Sequence, residues 1–389
     1  MKLEGLTVLD LSLFLPGPAA TQLMADHGAR VIKVENPRAP EPTRSADAFP
    51  WQQGGETVMF RNTQRGKESI ALDLKSEAGK RALLALAKQA DVVIEAFRPG
   101  VAKRLGIDYE TLSSENSRLV YCSISAFGQT GPWRDKAAHD TATVAAAGIL
   151  DVTRSPEGDS GPAIIGVPIA DMLSSYLALS GVLMALHRRH TTGRGDFVDI
   201  SMFESVLAAS PNILGPVFGG GQAPDRLKER THGGNAMLNV YETGDGQYVA
   251  LGGGEHKFVE ALFEGLDRPE FVAPVTGPAG AGHWPAIAFL RETFRTRTRA
   301  QWEAWFEGRD ICWSSVVSLH EAWRSAHVLE RGMRFSDADG NDHIGSAIKF
   351  LAEPARINTA LPAIGQQTAQ ILDELDLTEV DHKAILDRL

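Results

Sequence analysis

The stretch LTVLDLSLFLPGPAATQLMADHGARVIKVE, Leu6–Glu35, decides the fold. LTVLDLS is an apolar run of strand length, AATQLMADHGA carries helical spacing and closes near Gly28, and RVIKVE is a second apolar run. Strand, helix and strand in that order make a crossover unit whose two strands lie parallel in one sheet. The unit repeats: SIALDLK, the helix SEAGKRALLALAKQA and DVVIEAF follow, and LVYCSISAFG adds another apolar strand. A long apolar helix after Asp171 and the run DFVDISM extend it. Such alternation predicts an α/β fold, a doubly wound parallel sheet covered by helices. The turn between the first strand and its helix is Leu15-Pro16-Gly17-Pro18, where dinucleotide-binding domains carry GxGxxG. Without that fingerprint a nicotinamide or flavin role loses its main support.

At 389 residues the chain is long enough for two domains, and its 43% apolar content is that of a globular protein. The net charge of -10 argues against a nucleic-acid partner, because phosphate backbones call for a basic face. An anionic ligand therefore needs a local cluster of cations. One exists between Arg61 and Arg104, with Arg65, Lys67, Lys75, Lys80, Arg81, Arg98, Lys103 and Arg104. Lys80 and Arg81 read as solvation of a helix surface, whereas Arg98 and Arg104, in FRPGVAKRLG after a strand, are placed to hold an anion. Cys122 and Cys312 match neither a disulfide framework nor a metal-ligand spacing, and read as reduced thiols of a cytoplasmic protein. No signal peptide and no membrane span are expected, since Met172–Leu186, the most apolar segment, is broken by Ser174, Ser175 and Ser180. The terminal Asp387-Arg388-Leu389 is not the peroxisomal tripeptide.

Residues 1–204 form the first part of a large domain, and Pro- and Gly-rich 205–235 reads as a linker. Residues 236–318 read as a small α+β domain that opens with a hairpin around Asp245-Gly246. Its helices HKFVEALFEGL and RAQWEAWFEG carry aromatics at core spacing. The cationic cluster HRRHTTGRG, His187–Gly195, reads as a solvated helix terminus.

Three residues have simple structural readings when taken singly. Asp171, ahead of an apolar helix, reads as an N-cap; His139, after WRDKAA, as a hydrogen-bonded structural histidine; Glu255, in LGGGEHKF, as a first-turn acid.

Read in succession, VLDLSLFLPGPAATQLMADHGARVIKVE, RGKESIALDLKSEAGK, FRPGVAKRLGIDYETL, SISAFGQTGPW and TGRGDFVDISMFES resemble the CaiB/BaiF superfamily of class III CoA-transferases, which includes α-methylacyl-CoA racemase. The resemblance spans essentially the whole chain. It implies a Rossmann-like large domain built from both chain ends, so that 319–389 return to it, and an interlocked homodimer. It places Asp171, in GVPIADMLSS, at the active site. Coenzyme A, as part of the substrate, would be held by Leu72 and Lys75, Phe97 and Arg98, and Arg104 and Leu105, with Leu15, Pro16 and Arg38 as further contacts. No other cofactor is implied.

His139-Asp140, Glu95-Ala96-Phe97 and YETGDGQYVALGGGEHKF resemble the racemase branch, which makes His139 and Asp171 the proton-transfer pair and Glu255 the partner of the imidazole. A thioester α-proton is weakly acidic, so its removal needs a positioned base, and inversion needs an acid on the opposite face. The expected reaction is 1,1-proton transfer at C2 of a 2-methylacyl-CoA. Two alternatives stand beside it: CoA transfer between carboxylic acids through an aspartyl-CoA thioester on Asp171, and a non-catalytic acyl-CoA binding protein.

Overall fold

The computed structural model describes residues 1–154 and 161–388. Two compact units emerge: Met1–Ala147 with Gly166–Val206 and Ser325–Leu389, and Gly148–Ile165 with Leu207–Arg324.

The first unit holds six strands: β1 Thr7–Asp10, β2 Arg30–Glu35, β3 Glu68–Ala71, β4 Val92–Glu95, β5 Val120–Ser125 and β6 Phe197–Ser201. Their spatial order is β3-β2-β1-β4-β5-β6, and every pairing is parallel. This is the doubly wound order whose direction reverses between β1 and β4. The first five strands are almost wholly buried, which explains their unbroken apolar runs in the sequence.

Side chains alternate between two covered faces. Leu9, Ile32, Ile70 and Val93 pack with Ala82, Leu83 and Leu86 of α2 (Glu77–Gln89) and with Ile371, Leu372 and Ile385 from the end of the chain. On the other face lie α1 (Pro16–Asp26) and α4 (Ile169–Thr192), with the short α3 (Asp140–Ala146) at the head of α4. A Cβ on Gly181 would come within 2.7 Å of Val198 on β6, so glycine is what lets α4 lie against the sheet. The helix α4 is long and apolar enough to cross a membrane, yet its face of Ser174, Ala178, Val182 and Leu186 is buried in this unit. Arg189, near its C-terminus, is also buried and meets Asp91 at 2.8 Å. The sequence had read Arg189 as solvated; a carboxylate distant in sequence draws it inward.

The second unit carries an antiparallel sheet of β7 (Leu238–Glu242), β8 (Tyr248–Gly252) and β9 (Trp313–Ser315), ordered β9-β8-β7. The β7–β8 hairpin turns at Gly246, whose φ of 72° suits glycine. Helices α5 (His256–Gly265) and α6 (Arg299–Phe306) pack on it, and Tyr241, Phe263, Phe294, Trp302 and Phe306 fill the core.

Candidate active site

The site is built on the two loops that leave β1 and β4, at the point where strand order reverses. After β1 the chain folds Ser12 over Gly17, and a Cβ on Gly17 would lie 2.1 Å from the Ser12 hydroxyl oxygen. The glycine of LPGP thus serves this close approach. Beneath the loop runs a buried charge chain: Lys67 Nζ meets Asp10 at 2.9 Å, and Lys33 Nζ meets Asp10 at 3.8 Å and Glu41 at 3.0 Å. Burial alone would raise the Asp10 carboxyl, but Lys33, Lys67 and the hydroxyls of Ser12 and Thr21 hold it below the usual carboxylate range. Arg65 is likewise buried against Asp26 at 2.8 Å. Arg65 and Lys67 therefore drop out of the cationic cluster read from the sequence, because they neutralise buried carboxylates.

Above this chain, the Phe14 amide donates to Glu41 Oε1 at 3.0 Å, and Phe14 has a φ of 63°. Its ring meets the His139 ring edge-on, at 6.0 Å between centroids and 75° between planes.

A cavity of about 710 Å³ opens here. Leu13 and Phe14 line it from the β1 loop, Pro16 from the start of α1, Phe97 and Arg98 from the β4 loop, and His139, Asp140 and Asp171 from the heads of α3 and α4. In parallel sheets such crevices at strand C-termini are where ligands lie. His139 and Asp171, 32 positions apart in sequence, share this one space.

Asp171 is not the cap of its helix. Pro168 holds that position, Asp171 sits in the first turn, and among the described residues no hydrogen bond engages its carboxyl. The cap comes from Asp140, whose Oδ1 accepts from the backbone N–H of Ala170 at 2.7 Å and of Asp171 at 3.3 Å. Burial, with the neighbouring Asp140 charge, pushes the Asp171 carboxyl up to about 7. A carboxyl in that range can give or take a proton at neutral pH. His139 is the residue before α3, in extended conformation, with an exposed side chain that also makes no hydrogen bond among the described residues. It is not the hydrogen-bonded structural histidine of the single-residue reading.

The candidate CoA contacts divide. Leu72, Lys75, Phe97 and Leu105 line a second, smaller cavity of about 240 Å³ between the ends of β1, β2 and β3. Leu13 and Phe97 border both cavities. Phe97 is held by its amide, which donates to Glu95 Oε2 at 2.6 Å. Glu95 is 4% exposed, and burial, with Asp199 adding, pushes its carboxyl up to about 7. Arg104 is exposed on the turn of helix that carries Leu105, Arg38 is exposed in the turn after β2, and Leu15 caps α1 without lining either cavity.

Glu255 belongs to the second unit, where it precedes α5 and lines a separate cavity of about 390 Å³ with Arg230 and Asn235. Asp140, Phe14 and Glu41 were not singled out from the sequence. The adjacency His139-Asp140 was the only available signal for the first; nothing local marks the other two.

The sequence profile of CoA-transferase family III matches residues 3–368. The chain belongs to this family. Its members are enzymes, and so is this chain. Acetyl-CoA:oxalate CoA-transferase of Acetobacter aceti is 38% identical over 267 residues, 69% of this chain and 67% of the relative. Human α-methylacyl-CoA racemase is 31% identical over 378 residues, 96% of this chain and 93% of the relative. A CaiB/BaiF family protein from Brucella suis superposes with a TM-score of 0.82 at 28% identity, covering 96% of this chain and 99% of that one. Family III thus contributes both a transferase and a racemase at comparable similarity.

Proposed function

We propose that this enzyme moves a proton at C2 of a 2-methylacyl-CoA from one face to the other. The observation that carries the reading is the shared cavity of His139 and Asp171, with the Asp171 carboxyl near neutrality. One of the pair removes the C2 proton, the thioester oxygen takes the charge of the enolate, and the other returns a proton to the opposite face. The lone electron pair left at C2 is consumed in the new C–H bond, so no electron acceptor is needed. Leu72, Phe97 and Leu105 provide apolar surface for the adenine or pantetheine of the substrate, and Lys75, Arg98 and Arg104 meet its phosphates.

The second reading is CoA transfer between carboxylic acids, favoured by the 38% identity to the oxalate enzyme. There the Asp171 carboxylate attacks the thioester carbonyl and expels CoA as thiolate, leaving an acyl-aspartyl anhydride; the thiolate then attacks the aspartyl carbonyl, releasing the donor carboxylate and forming an aspartyl-CoA thioester. Hydroxylamine trapping separates the two. Proton transfer predicts no acyl hydroxamate on Asp171 when acyl-CoA and hydroxylamine are both present, and no dependence on an added carboxylate. Transfer predicts both.

We further propose a homodimer. Tyr176, Leu177 and Met184 are 49, 41 and 71% exposed on α4, an apolar stripe opposite its buried face, and association would remove it from water. Light scattering tests this. A cytoplasmic location goes with the two free thiols.

A further inference from the structure

Phe14 is a bulky residue at positive φ, in the left-handed region, a strained conformation that persists only where the surroundings impose it. Glu41 imposes it. Its buried carboxylate accepts from the Phe14 amide, from the Thr43 amide at 3.2 Å and from the Thr43 hydroxyl at 3.0 Å, and is paired with buried Lys33. The strained backbone sends the ring outward, where it remains 41% exposed. A folding role does not explain this arrangement, since strain is being spent to expose a phenyl group. What the ring does touch is the His139 imidazole, at a T-shaped geometry, on the wall of the cavity that also holds Asp171.

We propose that Phe14 is a positioning residue: its ring, locked by Glu41, fixes the orientation in which the His139 imidazole faces the cavity. This rests on the reading of His139 as a proton-transfer group, but the contact itself can be tested apart from turnover. The His139 imidazole has no hydrogen-bond partner among the described residues, so the phenyl wall is its orienting contact. An aromatic partner edge-on to an imidazole interacts differently with the neutral and the charged ring. Removing it frees the orientation of the His139 imidazole.

The experiment follows the chemical shift of the His139 ring C–H signal by NMR at one fixed pH, assigned by its loss in His139→Asn. Wild type is compared with Phe14→Ala, Phe14→Leu and Phe14→Tyr, each checked for folding by its thermal midpoint. The other ionisable groups on the cavity are Arg98, Arg134, Asp135, Lys136, Asp140 and Asp171, all unchanged in these variants. The expected result is that the displacement of the His139 signal by the neighbouring phenyl ring is lost in Phe14→Ala and Phe14→Leu, and restored in Phe14→Tyr. In parallel, C2–H exchange of a 2-methylacyl-CoA falls about tenfold in kcat with KM little changed, since orientation and not binding is lost. An unchanged His139 chemical shift in both Phe14→Ala and Phe14→Leu overturns the proposal. If wild type shows no C2–H exchange, the proton-transfer reading fails, and the NMR arm still decides whether Phe14 positions His139.

Discussion

The Asp140 carboxylate closes the first turn of the helix that carries Asp171, accepting from the Ala170 and Asp171 amides while its charge helps hold the Asp171 carboxyl at about 7. One side chain thus supplies both the geometry and part of the electrostatics of its neighbour.

These two roles separate by substitution. Asp140→Ala removes the acceptor and costs about 1 kcal/mol of stability. Asp140→Asn keeps an acceptor but removes the charge, so stability changes little while the Asp171 titration moves below about 7. Chemical unfolding and the pH–rate profile measure the two effects.

A raised carboxyl also sets a stability prediction. The Asp171 pKa in the folded chain lies above its unfolded value of 3.8, so its stability contribution is complete below that value and is lost as pH rises through about 7. Asp171→Asn should therefore stabilise the fold by about 1–3 kcal/mol at pH 8, with the gain vanishing below about pH 4, while turnover is lost. Urea unfolding at the two pH values checks it. Equal stability at pH 8 would contradict the burial of this charge.

At the second loop, Glu95 holds Phe97 where the two cavities meet. Glu95→Ala leaves the Phe97 amide without its acceptor and should weaken binding of free coenzyme A by about tenfold, whereas Glu95→Gln keeps most of it. Calorimetric titration with coenzyme A gives both numbers.

Much of the fold was legible because parallel strands buried on both faces must be continuously apolar. LTVLDLS, RVIKVE and the strands of the repeated units followed from that rule, and α4 from its long apolar run. The Rossmann-like expectation from the family resemblance matches the order β3-β2-β1-β4-β5-β6. Less legible was anything that depends on contacts across long stretches of chain. Asp171 looked like a cap by its local sequence, yet the cap arrives from Asp140, 31 residues earlier. Arg65 and Lys67 counted toward the cationic cluster because their partners, Asp26 and Asp10, lie 39 and 57 residues away. The left-handed Phe14 is imposed by Glu41, 27 residues later, and no local residue type announces it.

The most direct measurement is deuterium uptake at C2 from each enantiomer of a 2-methylacyl-CoA in deuterated water, with no acceptor carboxylate. The account predicts that both enantiomers acquire deuterium and converge on a racemic mixture, and that Asp171→Asn and His139→Asn each abolish the conversion. Acyl-CoA that keeps its C2 proton and configuration, while an added carboxylate gains CoA, would contradict it.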